Sequence, residues 1–560
     1  MSHTHWNLLF TTNKPATIDG VDPLIAQILA NRGLTDPRKA ELFLANDERS
    51  VADPLLLPDM CKAAIRTQRA LYSGEKIAIY GDFDADGITA TVILTQGLTA
   101  IGGQVIPYIP RRSAEGYGLR NSALEKLREE GVSLLITVDT GITAAAEVEH
   151  ACKLGMDVIV TDHHVPPAQL PQAAAVVDPK IAGSAYPLFD IAGVGVAFKF
   201  LQALIPEKGP RQEIVNNSVD LVALGTIADM VPLFGENRYW VKSGLELLNK
   251  TKRVGIQELV KCSKLEPGKL TAQSISWSLG PRINSAGRID SANTSYDLLV
   301  TDDQQVAKTL AQELEKKNSE RLQQTTALME KANQAVIATG TDQPLLLAAG
   351  EDYASGVMGL VAGRISDKYY RPAILIKVGR ELSRGSARSI DEFNLMEALE
   401  SCSDLMKNYG GHNRAAGFSM PTGNLDIFKQ RMACIAKEKL EGLDLRPRIN
   451  IDAEVNLQTL SGDMYPKIQQ LAPFGVGNPL PTFLSRRVEI QEQRLCGTQN
   501  EHLKLRVKQG ESSWDAMGFD LGAYAKEIGR LMDLVYTVEL NRWNGHETLR
   551  LNLIDFEPSK

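Results

Sequence analysis

Six aspartates and two adjacent histidines in the first half of the chain have the types and spacing of metal ligands. They lie at the ends of successive apolar runs and are Asp82, Asp84, Asp86, Asp139, Asp162, His163, His164 and Asp229. Carboxylates repel one another and lose hydration when they are gathered in one place, so such a cluster needs a compensating cation. Oxygen ligands with one or two imidazoles suit Mn²⁺ or Mg²⁺ better than a metal that prefers thiolates. The pattern therefore predicts a two-metal hydrolase.

Each of these residues has an alternative structural interpretation when it is taken alone. A single Asp after a strand is usually a helix cap or a turn former, and Asp162 by itself would be interpreted in that way. An isolated His pair is more often a surface or core feature than a ligand set. Asp229 differs because it interrupts the apolar run LGTIADMVPL, where an uncompensated charge is costly to bury. The joint pattern favours the metal site.

The residues around the candidate ligands predict the elements that position them. Short β-branched runs predict strands at 76–82, 104–109, 134–139, 157–162 and 174–178. Helical spacing predicts helices between them, at 89–101, 121–130 and 144–154. Such alternation is typical of a parallel sheet with helices on both faces, in which ligands bind beyond the carboxyl ends of the strands. We expect the sheet to gather the candidate ligands at one edge.

Composition limits the class of protein. The 560 residues are 43% hydrophobic and 23% charged, which suits several domains with separate cores. The six cysteines show no Cys-x-x-Cys spacing, which argues against a zinc ribbon or a disulfide framework and favours a reducing compartment. No secretory signal or membrane span is predicted, so we expect a soluble cytoplasmic protein. The net charge of −7 does not exclude a polyanionic substrate, but it predicts that binding relies on local basic patches.

The second half of the chain changes from alternating strands and helices to strands alone. Residues 305–336 contain no Gly or Pro and predict a long connecting helix, whose apolar positions are too sparse for a coiled coil. Residues 345–443 predict a second α/β lobe, and the alternating runs after 446 predict a small antiparallel barrel or sandwich. The expected domains are an N-terminal extension (1–45), a metal-bearing domain (46–300), the helix (301–336), the second lobe (337–445) and the β domain (446–560).

The order and spacing of these motifs resemble those of the DHH phosphoesterases. The resemblance rests on GDFDADG, TVDTG, TDHH and LGTIADMVPL, and it continues nearly to the end of the chain through EGYG at 115–118, GPRIN with AGR at 280–288, GSARS at 385–389, GGH with AAG at 410–417, and PFGVGNP at 473–479. It implies a multidomain α/β fold. A parallel-sheet DHH domain and a smaller α/β DHH-associated domain are joined by a long helix and followed by a C-terminal all-β OB-fold domain.

The resemblance also implies roles for the candidate ligands. Asp84 and Asp139 would hold one ion, while Asp86, His163 and Asp229 would hold the other, with Asp139 bridging the two. Whether Asp82 ligates directly or through water is left open. His164 would contact the scissile phosphate or supply a proton, and Asp162 would orient a neighbouring imidazole.

A second set of residues is implied to bind DNA. Arg112, Ser386 and Arg388 fall where related nucleases hold the 5′-phosphate, and guanidinium groups suit a terminal phosphate because their hydrogen bonds to it are charge-assisted. Further implied DNA contacts are Arg282, Arg288, His412, Lys504 and Arg506. Taken singly, a surface arginine is more often a solvated side chain than a ligand, and each barrel residue is about as often part of a solvated strand face as a DNA contact.

The resemblance implies an exonuclease that degrades single-stranded DNA in the 5′ to 3′ direction and releases mononucleotides during recombination and repair. Implied cofactors are two ions, Mn²⁺ or Mg²⁺. Expected partners are single-stranded DNA, a single-strand-binding protein and a helicase, and the enzyme is expected to be a monomer. One alternative is a DHH phosphodiesterase for short oligonucleotides or cyclic dinucleotides, but those relatives usually lack the C-terminal barrel. The other is a non-catalytic single-strand-binding scaffold, but such relatives lose metal ligands.

Overall fold

The structure of the protein is a computed structural model that describes residues 4–9, 18–111, 118–205, 212–543 and 546–559, with no side-chain description for 542, 543 and 546. Arg112 and most of the EGYG motif at 115–118 lie outside the described residues. The chain forms two compact units: Met1–Gly287, Ser291–Gln312 and Arg448–Lys560 belong to the first, and Arg288–Asp290 and Glu313–Pro447 to the second. No helix among the described residues is both long and apolar enough to cross a membrane.

The first unit begins with a strand and two short helices, β1 (His5–Leu8), α1 (Pro23–Asn31) and α2 (Pro37–Ala45). Both helices start with an Asp cap followed by Pro, a pairing that suits the first turn because Pro lacks the amide that would need a partner. The carboxylate of Asp22 accepts a hydrogen bond from the Leu24 amide at 3.0 Å, and that of Asp36 accepts one from the Arg38 amide at 2.8 Å.

A parallel sheet follows. Its strands and flanking helices are α3 (Met60–Ser73), β2 (Lys76–Gly81), α4 (Ala85–Ala100), β3 (Gln104–Tyr108), α5 (Asn121–Glu129), β4 (Val132–Val138), α6 (Ala145–Lys153), β5 (Asp157–Thr161) and β6 (Ala175–Val177). The strand order is β3-β2-β4-β5-β6 and every neighbouring pair is parallel, as predicted. Because the chain moves from β2 to β3 on one side and then to β4 on the other, the direction of winding reverses between β2 and β4. Ligands in such sheets bind at this reversal.

A helical layer packs against α4, which is buried along most of its length. Its elements are α7 (Gly193–Leu204), α8 (Gln212–Asn216), α9 (Val219–Ala228), α10 (Gly235–Leu248), α11 (Val254–Cys262), α12 (Ala272–Ser274), a π-helical turn (Ile275–Leu279), α13 (Gly280–Ile289) and α14 (Asn293–Val300). Single turns of 3-10 helix lie at Glu48–Ser50, Pro54–Leu56, Ser403–Leu405, Thr422–Asn424, Leu457–Leu460 and Gly522–Glu527.

The predicted long helix is α15 (Gln304–Thr339), whose later turns belong to the second unit. That unit continues with β7 (Leu346–Gly350), α16 (Met358–Tyr369), β8 (Ala373–Lys377), β9 (Leu382–Arg388), α17 (Leu395–Glu400), β10 (Asn408–His412), β11 (Ala415–Pro421) and α18 (Leu425–Leu440). The strand order is β10-β11-β9-β8-β7, parallel only between β7 and β8. Alternate residues of β8 point into two separate cores, one with α15 and α16 and one with α17 and α18.

The last part of the first unit is the predicted β domain. It contains β12 (Arg448–Ile451), β13 (Ala453–Glu454), α19 (Met464–Gln469), β14 (Phe483–Cys496), β15 (His502–Gln509), β16 (Ser512–Gly518), β17 (Leu531–Trp543) and β18 (His546–Pro558). The order β14-β15-β16-β18-β17 closes on itself because β14 also pairs with β17. A closed five-stranded barrel of this kind is the OB-fold, and the predicted fold class is therefore confirmed.

The N-terminal segment belongs to the core of this barrel, although the sequence predicts a separate extension. Strand β1 pairs with β12, and Leu29 and Phe43 are buried in the same core as Phe483 and Tyr536. The guanidinium of Arg238 on α10 donates hydrogen bonds to the carbonyls of Phe43 (2.8 Å), Leu471 (2.8 Å) and Ala472 (2.7 Å). One buried cation thus ties three distant segments of the first unit together.

Candidate metal centre

Strands β2, β4 and β5 end at three of the motifs that the sequence singled out. Asp82 follows β2, Asp139 follows β4 and His163 lies just after β5, so the parallel sheet brings the three motifs to one edge. The neighbouring β2 and β4 flank the reversal of winding. Asp229 reaches the same place from the carboxyl end of α9, which packs on α4.

The ligand-type atoms of these residues form three overlapping groups. Within each group the atoms lie within 4.8 Å of one another, and the groups are Asp82, Asp84 and Asp139; Asp86, His163 and Asp229; and Asp139, His163 and His164. Nε2 of His163 lies 3.0 Å from Oδ1 of Asp139 and 3.8 Å from Oδ2 of Asp86. Two groups contain the two predicted ligand sets, and Asp82 joins the first. The third group contains Asp139 from the first set and His163 from the second, so it connects the two sets.

The backbone at Asp139 is in a conformation that most residues avoid. Its φ is 58°, in the left-handed region, which costs free energy for any residue with a Cβ but least for Asp and Asn. Helix α7 also approaches Asp139 so closely that it leaves no room for a side chain at position 193, because a Cβ at Gly193 would lie only 2.6 Å from the Cβ of Asp139. Residue 193 must therefore be glycine if Asp139 is to lie against the first turn of α7.

Two of the candidate ligands are also helix caps. The carboxylate of Asp84 accepts hydrogen bonds from the amides of Asp86 and Gly87 at the start of α4, at 3.0 and 3.1 Å. That of Asp86 accepts them from the first amides of α7, Gly193 at 2.6 Å and Val194 at 2.8 Å. A carboxylate offers about four lone-pair sites, so capping leaves room for a cation. The cap and the ligand interpretations are compatible, and the caps fix the direction of both side chains.

Asp162 organises the histidine pair. Its Oδ2 accepts a hydrogen bond from the Ile142 amide at 2.9 Å, and its Oδ1 accepts one from the His163 amide at 2.8 Å. The same Oδ1 lies 2.8 Å from Nδ1 of His164. Both oxygens are therefore used in positioning, and the contact directs Nε2 of His164 away from Asp162. His164 is also the more exposed imidazole, at 34% against 9% for His163.

Burial and mutual repulsion shift the protonation of the cluster. Burial, followed by the charge of Asp84, raises the pKa of Asp86 to about 7. Burial and the neighbouring aspartates hold the pKa values of Asp139 and Asp229 well above the usual range. Burial, followed by the charge of His164, lowers the pKa of His163 to about 3. The carboxylates would ionise readily only beside a cation, and His163 is neutral, as a ligand must be.

His164 and Asp162 are shifted in a different way because they form a pair. Burial alone would lower the pKa of His164, but the hydrogen bond and charge of Asp162 outweigh it and raise that pKa. Burial alone would raise the pKa of Asp162, and the same pairing outweighs it and lowers that pKa. His164 can therefore hold a proton beside the cluster while His163 does not.

The donor set fits a divalent cation. Carboxylate oxygens surround the ring of the buried His163: Nε2 lies 3.0 Å from Oδ1 of Asp139, and Nδ1 lies 3.8 Å from Oδ2 of Asp229. Carboxylates that repel one another around a buried, neutral imidazole are costly unless an ion compensates them. Oxygen and imidazole donors without thiolates suit Mn²⁺ or Mg²⁺.

Helix α13 supports the loop between β2 and α4 that carries Asp82 and Asp84, which we call the metal loop. The sequence did not reveal this role. Oδ1 of Asn284 accepts a hydrogen bond from the Ala85 amide at 2.6 Å. Gly287 lies one turn later on the same face, where a Cβ would come within 2.5 Å of the Phe83 carbonyl oxygen. The Asn and Gly three positions apart in the 280–288 motif are the local signal for this close packing, but nothing in the motif identifies its partner.

The two predicted DNA-binding arginines of this region lie in different units. Nη1 of Arg282 donates hydrogen bonds to the carbonyl and hydroxyl oxygens of Ser278 at 2.9 and 3.0 Å, in the first unit. Nη1 of Arg288 donates to the carbonyl of Gly356 at 3.4 Å, in the second unit.

In the second unit, Ser386 and Arg388 lie on the same face of β9 and approach the first turn of α16. A Cβ at Gly359 in that turn would lie 3.0 Å from Nη2 of Arg388 and 3.1 Å from Oγ of Ser386. Burial lowers the pKa of Arg388, and no described carboxylate forms an ion pair with it. His412 lies on the exposed edge strand β10.

The barrel residues Lys504 and Arg506 lie on the outer face of β15, where their neighbours Leu503 and Leu505 point inwards. Lys504 is exposed and is paired across the ladder with Arg494. Arg506 forms an ion pair with Asp515 of β16 at 2.8 Å. The positive charge of this face is therefore concentrated at Lys504 and partly neutralised at Arg506.

Three family models match the chain. They are the DHH family N-terminal domain at residues 76–226, the DHHA1 domain at 342–438 and the RecJ OB domain at 451–555. The matches coincide with the parallel sheet and its helices, the sheet of the second unit, and the barrel.

Similar proteins match along nearly the whole chain. The single-stranded-DNA-specific exonuclease RecJ of Dickeya dadantii is 33% identical over 557 residues, which cover 95% of this chain and 96% of that protein. The RecJ exonuclease of Escherichia coli is 32% identical over 578 residues, covering 98% and 97%. The crystal structure of RecJ in complex with Mn²⁺ from Thermus thermophilus superposes with a TM-score of 0.85 at 30% identity, covering 99% of this chain and 80% of that one. A Mg²⁺ complex of RecJ from the same organism gives a TM-score of 0.79 at 28% identity, covering 99% and 79%.

Proposed function

Because this chain belongs to the RecJ family of single-stranded-DNA-specific exonucleases, we propose that it hydrolyses single-stranded DNA from the 5′ end and releases mononucleotides. The reaction uses two divalent cations, Mn²⁺ or Mg²⁺. The observation that carries the proposal is the set of overlapping ligand groups that share Asp139 and His163. The closed barrel supports a long strand as the substrate over a dinucleotide, because such barrels commonly bind single strands.

The ligand groups suggest how the ions are held. Asp82, Asp84 and Asp139 would hold one ion, and Asp86, His163 and Asp229 the other. We propose that Asp139 bridges the two, because its Oδ1 also lies 3.0 Å from Nε2 of His163. When bound, such ions activate water and neutralise charge on the phosphate oxygens. The caps on α4 and α7 orient Asp84 and Asp86 before any ion arrives.

His164 would give a proton to the leaving group, and Asp162 would hold His164 in position. Asp162 holds Nδ1 of His164 at 2.8 Å, so Nε2 is the atom directed elsewhere. Because its pKa is raised, His164 can contact the scissile phosphate or give a proton from Nε2 to the departing oxygen. Asp162 acts through His164 and is a positioning residue.

The 5′ preference would come from Ser386 and Arg388, together with Arg112, which lies outside the described residues. The Ser386 hydroxyl, the half-buried Arg388 guanidinium, which has no ion pair with a described carboxylate, and the first turn of α16 converge near Gly359. Such groups form charge-assisted hydrogen bonds to a terminal phosphate.

Polarity is tested with a 5′-phosphorylated single strand that carries a fluorophore on its 3′ end. With Mn²⁺ the labelled product should shorten step by step, and labelled mononucleotide should appear last. Labelled mononucleotide at the earliest times would contradict the proposed direction. Omission of the metal is the matched control and should leave the strand intact.

We also propose the setting of the enzyme. A cytoplasmic monomer that works in recombination and repair, on strands that a helicase unwinds and a single-strand-binding protein coats, is consistent with the family. Sedimentation of the purified protein tests the monomer, and digestion of strands precoated with a single-strand-binding protein tests the functional link.

A further inference from the structure

Trp277 exposes 83% of its surface, which is unusual for the largest apolar side chain. It lies in the π-helical turn between α12 and α13. Ile275 and Leu279 anchor this turn because both are fully buried, and Trp277, midway between them, points away from the core. Turns of this kind inside helices are frequent at functional sites. The indole therefore needs an explanation outside the fold.

The turn that carries Trp277 lies beside the metal centre. It contacts α9, whose carboxyl end leads into Asp229. A Cβ at Gly280, where α13 begins, would lie 3.5 Å from the Cβ of Ala228. Farther along, α13 reaches the metal loop through the hydrogen bond between Asn284 and the Ala85 amide. Trp277 therefore lies on the turn that precedes the helix bracing the ligands.

Two further side chains, one on α13 and one beside the candidate ligand Asp229, suit a nucleotide. Arg282 is held against the same turn by its hydrogen bonds to Ser278 at 2.9 and 3.0 Å. Met230 follows Asp229 directly, with a left-handed φ of 62° and 67% of its surface exposed. An exposed aromatic ring and a thioether offer contact to a base, and a guanidinium offers hydrogen bonds to a phosphate.

We propose that Trp277 stacks on a nucleobase of the DNA strand next to the metal centre, while Arg282 binds an adjacent phosphate. This inference rests on the function proposed above and adds a determinant of strand specificity. Both faces of a base inside a duplex are covered by its neighbours, so only an unpaired, unstacked base can cover the indole. Stacking at this position therefore favours single strands.

The experiment compares Trp277→Ala with Trp277→Phe and with Tyr72→Ala as the matched control. Tyr72 exposes 95% of its surface on α3, which leads into the start of β2 and so lies at the opposite edge of the sheet. Steady-state digestion of 5′-phosphorylated strands gives kcat and KM for each enzyme. The measurement is repeated with a series of strands, each of which carries one abasic site at a different position. We expect Trp277→Ala to raise KM roughly 5- to 100-fold with little change in kcat. Trp277→Phe should restore most of the loss, and Tyr72→Ala should change nothing.

The abasic series distinguishes stacking from a structural effect. In the unsubstituted enzyme one abasic position should raise KM as much as Trp277→Ala does, and in that variant the same position should have no further effect. An unchanged KM, or abasic profiles that do not differ between the two enzymes, would overturn the proposal. If Trp277→Ala does not fold, the profile of the unsubstituted enzyme decides, because the absence of any position-specific loss is incompatible with stacking. Failure of the unsubstituted enzyme to degrade single strands would instead refute the proposed function.

Discussion

The acidic edge of the parallel sheet and the Ser386–Arg388 face of the second sheet carry opposite charges, with Asp139 buried at the first and Arg388 half-buried at the second. At the first, burial and mutual repulsion hold the pKa of Asp139 well above its usual range. At the second, burial lowers the pKa of Arg388, which has no ion pair with a described carboxylate. Each region holds a charge that the described residues do not balance, one suited to cations and the other to an anion.

Lys199 is a third buried charge, and in this case residues of the protein neutralise it. Nζ of Lys199 lies 2.9 Å from Oε2 of Glu236, and the same oxygen accepts a hydrogen bond from the Ala52 amide. The other carboxylate oxygen, Oε1, accepts one from the Tyr186 hydroxyl. All of these groups that pair with Lys199 and Glu236 belong to the protein itself, so no ligand is needed to neutralise the charge. A buried charge that other residues of the protein neutralise therefore indicates a structural role. One that the described residues do not neutralise indicates a ligand of opposite charge.

The largest expected effect comes from Asp139→Asn. Asparagine tolerates the left-handed backbone at this position but removes the shared charge. We expect exonuclease activity to fall on the order of 10³-fold or more, because both ions lose a ligand. The melting temperature of the metal-free protein should stay the same or rise, since repulsion is relieved. Asp302→Asn, on an exposed residue before α15, should change neither quantity. Activity above a tenth of the original would contradict the shared-ligand assignment.

Lys199→Met tests the balanced network. The substitution leaves Glu236 buried without its cation, which should lower the free energy of unfolding by about 3–5 kcal/mol in urea denaturation. Adding Glu236→Gln should recover part of that loss, because the double variant no longer buries an uncompensated charge. A loss below about 1 kcal/mol for the single variant would mean that the pair is not balanced as the structure indicates.

Metal addition tests the unbalanced acidic cluster. Each Mn²⁺ site, at 100 times its dissociation constant, should stabilise the folded protein by about 2.7 kcal/mol, because the ions bind the folded state. Differential scanning fluorimetry with and without chelator measures the rise in melting temperature. Arg388→Ala should keep the full rise and Asp139→Asn should lose most of it. Equal rises in both variants would place the bound metal elsewhere.

The smallest expected effect is that of Arg388→Ala on end recognition. Loss of a charge-assisted hydrogen bond should reduce the preference for a 5′-phosphorylated over a 5′-hydroxyl strand by about tenfold or somewhat more. Competition between the two strands in one digestion measures the ratio directly. Arg384→Ala is the control, since Arg384 lies on the same face of β9 but is exposed. An unchanged ratio in Arg388→Ala would remove this residue from the end pocket.

Local sequence patterns predict much of the fold. The predicted helix at 121–130 agrees with α5, and the five predicted strands of the parallel sheet each lie within a few residues of the observed strand. The barrel is less well predicted: the alternating runs after 446 do not distinguish a barrel from a sandwich, and β16 has a weak pattern. Its inward positions include Ala516 and Gly518, whose small side chains give a weak alternating pattern.

Long-range contacts are what the sequence could not supply. The candidate ligands were predictable because each one stands at the end of an apolar run. The hydrogen bond from the Ala85 amide to Asn284 joins residues far apart in the chain, and nothing near either residue indicates the other. The same holds for Arg238, whose carbonyl partners lie in two distant segments.

The packing of α1 and α2 into the barrel has a consequence for biosynthesis. The apolar faces around Leu29 and Phe43 are covered by residues that follow about 400 positions later. At translation rates of roughly 5–20 residues per second, the ribosome needs on the order of 20 to 80 s to make that intervening chain. During this interval the nascent chain presents an uncovered apolar segment, a natural target for chaperones, and the barrel completes its core only after β18 has been made.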